Sequence, residues 1–233
     1  MSQAILQREL LLRRHSDDAS NPRSVALFRR RRPHAHAPAF LDLFYALEAR
    51  RTGMASLVVQ FISAGPKAGV STVSSGYARV AADAAQRPVL FVDAAPPANQ
   101  DDTDTLVTAF ARTGLVESAI VPARNAENLL WARLCNSPDT LLSAGMERLR
   151  LLLDLLRAQY GLIVLDSSSV IYPGSAALSR VCDGTVLVVE AGSTGQSEID
   201  SARRKVEQLG GQLVGLVLNR ERSRPPAAVK QFA

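Results

Sequence analysis

Continuous apolar runs separated by amphipathic segments constrain the fold of this 233-residue chain more than any other feature. Runs of this kind, without regular polar positions, are typical of strands that are buried on both faces. Helices between such strands require a parallel sheet with both faces covered, because each connection has to cross over the sheet. The sequence therefore predicts an α/β fold with a doubly wound, mostly parallel sheet. The predicted strands are residues 56–63, 87–94, 161–167, 184–192 and 211–219, with a sixth at 128–134.

The segments around these strands define the predicted domain organisation. Helices are expected at residues 40–51, 71–86, 101–112, 137–160 and 195–209. The first of them has an apolar side formed by Phe40, Leu43, Phe44 and Leu47. Residues 39–222 are the predicted folded domain, residues 1–38 a basic and disordered tail, and residues 223–233 a C-terminal tail.

The positive charge of the chain is concentrated in the predicted N-terminal tail. Residues 1–33 contain eight arginines and three acidic residues, an excess that equals the formal net charge of +5 for the whole chain. The remainder is close to neutral, so a nucleic-acid-binding face on the domain is not expected. The four arginines at 29–32 instead predict contact with an anionic membrane surface.

The composition also bears on location. No run of eighteen apolar residues occurs, which argues against a membrane-spanning helix. The first twenty residues carry charges where a signal peptide needs an apolar run, so we expect a cytoplasmic protein. The two cysteines, Cys135 and Cys182, have no metal-ligand spacing and are expected to be reduced thiols of the core.

The stretch FISAGPKAGVSTV, which joins the first predicted strand to the next helix, has the outline of a phosphate-binding loop. Such a loop directs successive backbone N–H groups toward phosphates at a helix N-terminus. The final glycine of the pattern is Gly69, and its hydroxyl residue is Ser71. The pattern's lysine is replaced by Val70, which cannot neutralise a phosphate. The predicted nucleotide-binding residues of this stretch are Pro66, Lys67, Ala68, Gly69, Val70, Ser71 and Thr72.

Polar residues stand at the ends of three predicted strands, where ligands of α/β sheets bind. Asp93 and Asp166 end two of these strands and are the candidate catalytic residues. With the Ser71 hydroxyl they form a candidate set of Mg²⁺ ligands. Asn219 ends the last strand and is placed to hydrogen-bond an adenine edge. Together these positions predict descent from a P-loop NTPase-like nucleotide site.

At this point the sequence resembles the bacterial tyrosine kinases (BY-kinases), within the deviant-Walker group that includes the MinD and ParA proteins. BY-kinases are cytoplasmic P-loop domains paired with membrane co-polymerases in capsule and exopolysaccharide export. The resemblance covers about residues 40–222. It rests on SAGPKAGVSTV, RPVLFVDAAPP, QYGLIVLDSSSV and CDGTVLVVEAGSTGQSEIDSARRKVEQLGGQLVGLVLNR.

By this resemblance, Gly69, Ser71 and Thr72 match positions of the family's phosphate loop. Asp93 and Asp166 match its two carboxylates, and Asn219 matches an adenine contact. The departures concern the catalytic residues. The group's signature lysine falls at Gly65, the second acid of its Asp-x-Asp motif falls at Ala95, and Val70 replaces the Walker lysine. The C-terminus, NRERSRPPAAVKQFA, lacks the tyrosine cluster that these kinases phosphorylate.

These departures favour a catalytically degenerate relative of these kinases that acts in exopolysaccharide or capsule biosynthesis and export. Such a protein would bind ATP or ADP and Mg²⁺ weakly and would regulate or scaffold a co-polymerase at the inner membrane. The resemblance also implies self-association through the first helix. The family's pattern of Glu and two Arg is not kept there, since Asp42, Tyr45 and Glu48 occupy a comparable spacing. Two alternatives stay open: an active ATPase or kinase with Lys67 as substitute cation, and a MinD- or ParA-like or cellulose-synthesis accessory ATPase.

Overall fold

A seven-stranded sheet organises the part of the chain that the structure, a computed structural model, describes: residues 37–51, 53–95, 104–124 and 126–220. The strands are β1 (Leu57–Ser63), β2 (Val89–Asp93), β3 (Ile120–Pro122), β4 (Leu129–Arg133), β5 (Leu162–Ser169), β6 (Gly184–Glu190) and β7 (Leu213–Asn219). The helices are α1 (Ala37–Glu48), α2 (Val70–Ala84), α3 (Leu106–Thr113), α4 (Pro138–Gln159), α5 (Pro173–Leu178) and α6 (Gln196–Gln208). Short 3₁₀ turns occupy Glu117–Ala119 and Ser179–Val181.

The strand order is β3-β4-β2-β5-β1-β6-β7. Every neighbouring pair is parallel except β3 and β4, which are antiparallel. The predicted doubly wound, mostly parallel sheet is therefore confirmed. The sequence did not predict the three-residue strand β3 or the six-residue helix α5, because neither is long enough to show a hydrophobic period.

Helices cover the two faces of the sheet unequally. Helices α1 and α2 lie on one face, where Phe44, Leu47, Val73 and Tyr77 pack against apolar side chains of the strands. Helices α3 to α6 lie on the opposite face over two further apolar clusters. The predicted apolar side of the first helix is confirmed, since Phe44 and Leu47 are buried and Phe40 and Leu43 pack beside them.

Two segments depart from the predicted elements. The long helix expected at 137–160 is interrupted at Gly145, whose φ of 73° and ψ of 157° are not helical. The helix expected at 101–112 begins at Leu106, and part of the predicted span lies outside the described residues. The predicted tails also lie outside them, apart from the start of α1 at Ala37. Within the described ranges no helix is both long and apolar enough to cross a membrane.

The strand order brings four carboxyl ends together at one edge of the sheet. Strands β4, β2, β5 and β1 are consecutive neighbours, and β1 leads directly into the loop that precedes α2. Asp93 of β2 pairs in register with Asp166 of β5 and with Arg133 of β4. The candidate site therefore forms where the β1–α2 loop meets these strand ends.

Candidate functional site

The loop between β1 and α2 has the backbone conformation that a phosphate-binding loop requires. Gly69, which immediately precedes α2, has a φ of 85°, and Lys67 has a φ of 63°. Left-handed backbone costs an L-residue such as lysine about 1–2 kcal/mol, so the surrounding structure must enforce it. The two left-handed residues flank Ala68, whose side chain is buried. The loop is thus held in a strained arrangement.

Asn219 anchors this loop from the end of β7. Its Nδ2 donates to the carbonyl oxygen of Ala68 at 2.8 Å, and its Oδ1 accepts from the backbone N–H of Arg220 at 2.9 Å. A Cβ at Gly69 would overlap the same Nδ2 atom. The role found for Asn219 is therefore to hold the loop, and its contact with an adenine edge stays a prediction.

The loop also presents unpaired backbone donors. The N–H groups of Gly69, Val70 and Ser71 donate to no acceptor within the described part of the chain. They stand at the start of a 15-residue helix, where free N–H groups and the helix dipole favour an anion. The backbone half of a phosphate site is therefore present.

The side chain that should complete that site belongs instead to the core. Val70 is 9% exposed and lies in the same apolar cluster as Ala68, Val73 and Tyr77. It contributes packing where the pattern has a cation. Lys67, the nearest lysine in sequence, is exposed.

The remaining predicted loop residues are solvent-facing. Pro66, Ser71 and Thr72 are exposed, and Ser71 is hydrogen-bonded through its carbonyl oxygen to the hydroxyl of Ser75. Ser71 lies near enough to Asp166 for its hydroxyl to favour the ionised carboxylate. The loop, Asp166 and Asn219 therefore come together. Asn219 ends β7 as predicted, but β5 continues three residues past Asp166, to Ser169.

Asp166 is a buried carboxyl at the centre of the site. Burial raises its pKa to about 7, the hydroxyls of Ser71 and Ser74 oppose this rise, and the nearby charge of Asp93 adds to it. Its Oδ1 and the Ser74 hydroxyl are buried and have no hydrogen-bond partner of good geometry. Asp166 thus retains a free acceptor atom beside the start of α2.

Asp93 is paired differently. Burial raises its pKa, while the Arg133 guanidinium and the backbone N–H of Ala95 oppose the rise. Its Oδ1 accepts from Ala95 N at 3.2 Å, and its Oδ2 lies 3.5 Å from Arg133 Nη2. Ala95, where the family has a second acid, therefore contributes only this backbone donor.

Arg133 is the site residue that sequence reasoning missed. It ends β4 in register with Asp93, and its side chain is 16% exposed. Its guanidinium carbon lies 5.9 Å from the centre of the Trp131 ring, within range of a cation–π contact. A charged residue at the carboxyl end of an apolar strand is the signal that marked Asp93 and Asp166, and it would have marked Arg133 as well.

The proposed Mg²⁺ ligands fit a divalent cation only in part. The free Oδ1 of Asp166 and the exposed hydroxyl of Ser71 are suitable oxygen donors. Asp93 is not available in the same way, because it already faces the guanidinium of Arg133. No cluster of three or more His, Cys, Asp or Glu side chains suited to a metal occurs among the described residues. As arranged, the three-residue set does not form a complete Mg²⁺ site.

Comparison with known proteins agrees with the resemblance of the motifs. No protein-family model matches the chain. Tyrosine-protein kinase CpsD of Streptococcus pneumoniae is 24% identical over an alignment of 180 residues, and the match covers 70% of this chain and 75% of CpsD. The kinase domain of the Escherichia coli tyrosine kinase ETK has a TM-score of 0.68 at 20% identity. The match covers 81% of this chain and 78% of the ETK chain. The fold and the resemblance to bacterial tyrosine kinases are confirmed.

The same fold occurs in the wider P-loop group. The septum site-determining protein MinD of Pyrococcus horikoshii, solved in complex with Mg-ADP, has a TM-score of 0.56 at 21% identity. The match covers 73% of this chain and 74% of that protein. The predicted P-loop NTPase-like fold is confirmed by this likeness.

Proposed function

We propose that this chain, whose sequence and fold resemble those of the bacterial tyrosine kinases, binds a nucleotide weakly and acts as a regulator or scaffold without phosphorylating itself. One observation carries the proposal. The β1–α2 loop keeps its free N–H donors and its left-handed Gly69, but the residue after Gly69 is a valine packed in the core. Binding through the backbone is retained, and the charge needed for transfer is lost.

The magnitudes favour binding without catalysis. A charge-assisted contact to phosphate contributes about 1.5–3 kcal/mol, and positioned cations at the transition state supply about 10³-fold or more in rate. Val70 and Gly65 remove both lysines of the family pattern, and Ala95 removes an acid. Lys67 is exposed and lies in a loop whose backbone, not its side chain, is held by neighbours. Weak binding of ATP or ADP is therefore the expected residual activity.

The partner follows from the resemblance to tyrosine kinases of the BY-kinase type. We propose a membrane co-polymerase of exopolysaccharide or capsule biosynthesis, engaged at the cytoplasmic face of the inner membrane. Helix α1 supports contact with another protein, since Tyr45 is 61% exposed and Asp42 is exposed beside it. The same helix face is our candidate for self-association.

Two experiments test the proposal. Titration of the purified protein with fluorescent ADP and ATP measures binding, and affinity in the micromolar to millimolar range is expected, at roughly 4–8 kcal/mol. In the native host, deletion of the gene should reduce polymer export, and an Asp166→Asn variant should restore it if regulation does not need catalysis. Failure of the variant, with robust ATP turnover by the wild type, would support the alternative of an active ATPase or kinase.

Genetic context separates the remaining alternative. Glycosyltransferase and co-polymerase genes beside this one would support the polysaccharide role. Division, partition or cellulose-synthesis genes there would support a MinD- or ParA-like or cellulose-synthesis accessory role, which the shared fold also allows.

A further inference from the structure

We propose that Arg133 is the resident cation of this site: it holds Asp93 in an ion pair and makes nucleotide binding independent of Mg²⁺. The inference rests on the proposed binding of nucleotide and concerns the metal requirement of that same site. It follows from one disagreement: Asp93 was expected to bind Mg²⁺, but the structure pairs it with Arg133.

Three charged residues form a row across adjacent strands. Arg133, Asp93 and Asp166 occupy matching register positions on β4, β2 and β5. Neighbouring strands lie about 4.8 Å apart, so each side chain is within reach of the next. A Mg²⁺ bound by both carboxylates would have to lie between Asp93 and Asp166, next to the guanidinium that already faces Asp93. Like charges at that separation repel, and the low exposure of the site limits screening by solvent.

The position of Arg133 is supported from two sides. Nη2 faces Asp93 Oδ2 at 3.5 Å, and the guanidinium lies over the Trp131 ring. Trp131 is itself buried in the apolar cluster beneath α2. The guanidinium is a planar cation with five N–H donors and no acceptor. The guanidinium therefore places a covalently attached positive charge where the resemblance implies a bound Mg²⁺ ion.

The experiment measures affinity for fluorescent ADP in excess Mg²⁺ and in EDTA, using the full-length protein. The wild type should bind ADP with affinities that differ by less than about twofold between the two conditions. Arg133→Gln should bind about tenfold or more tightly in Mg²⁺ than in EDTA, because Asp93 then becomes available to the metal. Arg133→Lys keeps the charge and should behave like the wild type.

Two further variants make the test specific. The regained Mg²⁺ dependence of Arg133→Gln should disappear in the double variant Arg133→Gln with Asp93→Asn, which removes the released carboxylate. Arg203→Gln, on the exposed face of α6, removes a charge remote from the site and should leave both affinities unchanged. Circular dichroism melts establish that each variant is folded. If Arg133→Gln does not fold, Arg133→Met takes its place with the same expected Mg²⁺ dependence, because it removes the charge and keeps an unbranched apolar side chain beside Trp131.

The outcomes separate this inference from the proposed function. Wild-type affinity at least about tenfold higher in Mg²⁺ than in EDTA overturns the role of Arg133 and leaves nucleotide binding standing. Absence of ADP binding in every variant and condition overturns nucleotide binding itself. In that case Mn²⁺ binding followed by electron paramagnetic resonance still tests Arg133, because Arg133→Gln should bind Mn²⁺ and the wild type should not. Equal Mn²⁺ binding by both would overturn the inference.

Discussion

Asn219 and Gly69 are so close that the amide nitrogen of the asparagine occupies the place where any other residue at position 69 would carry its Cβ. The same nitrogen donates to the carbonyl oxygen of Ala68. One side chain at the end of β7 thus both supports the loop and restricts position 69 to glycine. This contact supports the loop in the conformation that a phosphate-binding loop requires.

Replacing Gly69 by alanine should destabilise the protein and weaken nucleotide binding. The substitution places a Cβ against Asn219 and forces an L-residue into a φ of 85°. We expect the free energy of unfolding to fall by roughly 1–3 kcal/mol, measured by urea denaturation. Gly65→Ala is the matched control, because a Cβ there meets nothing within 4 Å. Equal losses in the two variants would contradict the role assigned to Gly69.

Replacing Val70 by lysine should raise nucleotide affinity at a cost in stability. A restored ammonium would contact the phosphates and contribute roughly 1.5–3 kcal/mol, or about 10- to 100-fold in affinity. Because Val70 is buried in the apolar cluster, the melting temperature should fall. Calorimetry with ADP measures the affinity, and Val70→Met controls for side-chain length. Unchanged affinity in a folded lysine variant would mean that the loop does not cradle phosphate.

The protein should show no tyrosine autophosphorylation. Val70 and Gly65 stand where the family's two lysines stand, so the loop has no cation at either position to stabilise the transferred phosphoryl group. Incubation with ATP and Mg²⁺, followed by phosphotyrosine detection and mass spectrometry, measures the outcome. A strong signal that Asp93→Ala abolishes would show that the site is catalytic and would reject the degenerate assignment.

The buried Asp166 predicts a pH dependence of stability. Its pKa is raised from 3.8 to about 7, so the folded state binds the proton over a range in which the unfolded chain releases it. Stability should therefore fall as pH rises from about 4 to 7, and the loss should be complete above that window. Asp166→Asn removes this loss and should be more stable than the wild type at pH 8, by an amount of the order of a few kcal/mol.

Urea unfolding at pH 4, 5.5 and 8 measures the difference between Asp166→Asn and the wild type. The two proteins should converge at pH 4 and diverge as pH rises. Asp42→Asn removes an exposed carboxylate of α1 and should show no such divergence. A difference between Asp166→Asn and the wild type that is independent of pH would contradict the burial of an un-ionised carboxyl.

The arginines at 29–32 should cause salt-sensitive association with anionic membranes. Each positive charge near such a surface is worth about 1 kcal/mol, and less at high salt. Co-sedimentation with anionic and neutral vesicles compares the full-length protein with a variant that carries glutamine at the four positions. Equal sedimentation of the two proteins would mean that the four arginines do not cause the membrane association. Tighter binding of duplex DNA than of anionic vesicles at matched salt would favour a ParA-like role.

The sheet was predictable because its strands are buried on both faces and therefore appear as uninterrupted apolar runs. The loop was predictable for a different reason, since Gly69 and Ser71 are local requirements of a turn that opens a helix. Their proximity to Asp166 and Asn219 followed from the rule that parallel strands end at one edge of the sheet. These positions needed no knowledge of side-chain packing.

The missed features depend on contacts between distant parts of the chain. The pairing of Arg133 with Asp93 joins residues 40 apart, and it could not be read from either segment alone. The burial of Val70 depends on how α2 packs on the sheet. The loop-supporting hydrogen bond from Asn219 to Ala68 spans 151 residues. Tertiary geometry decides each of these roles, and a local pattern specifies only the residue type.

The interruption of α4 at Gly145 divides the helix into two units whose backbone hydrogen bonds need not open together. Residues 138–144 form one unit and residues 146–159 the other, with no continuous helical backbone between them. A cavity of about 170 Å³ lies between α3 and both units, with Thr140, Ser143 and Ala144 on the first and Arg148, Leu149 and Leu152 on the second. Leu141 is the one buried side chain among residues 139–144, whereas the second unit buries Leu149, Leu152, Leu153 and Leu156. Local opening of the first unit should therefore require less free energy than global unfolding. Amide hydrogen exchange should therefore be faster in residues 141–144 than in residues 149–156, which pack against the core.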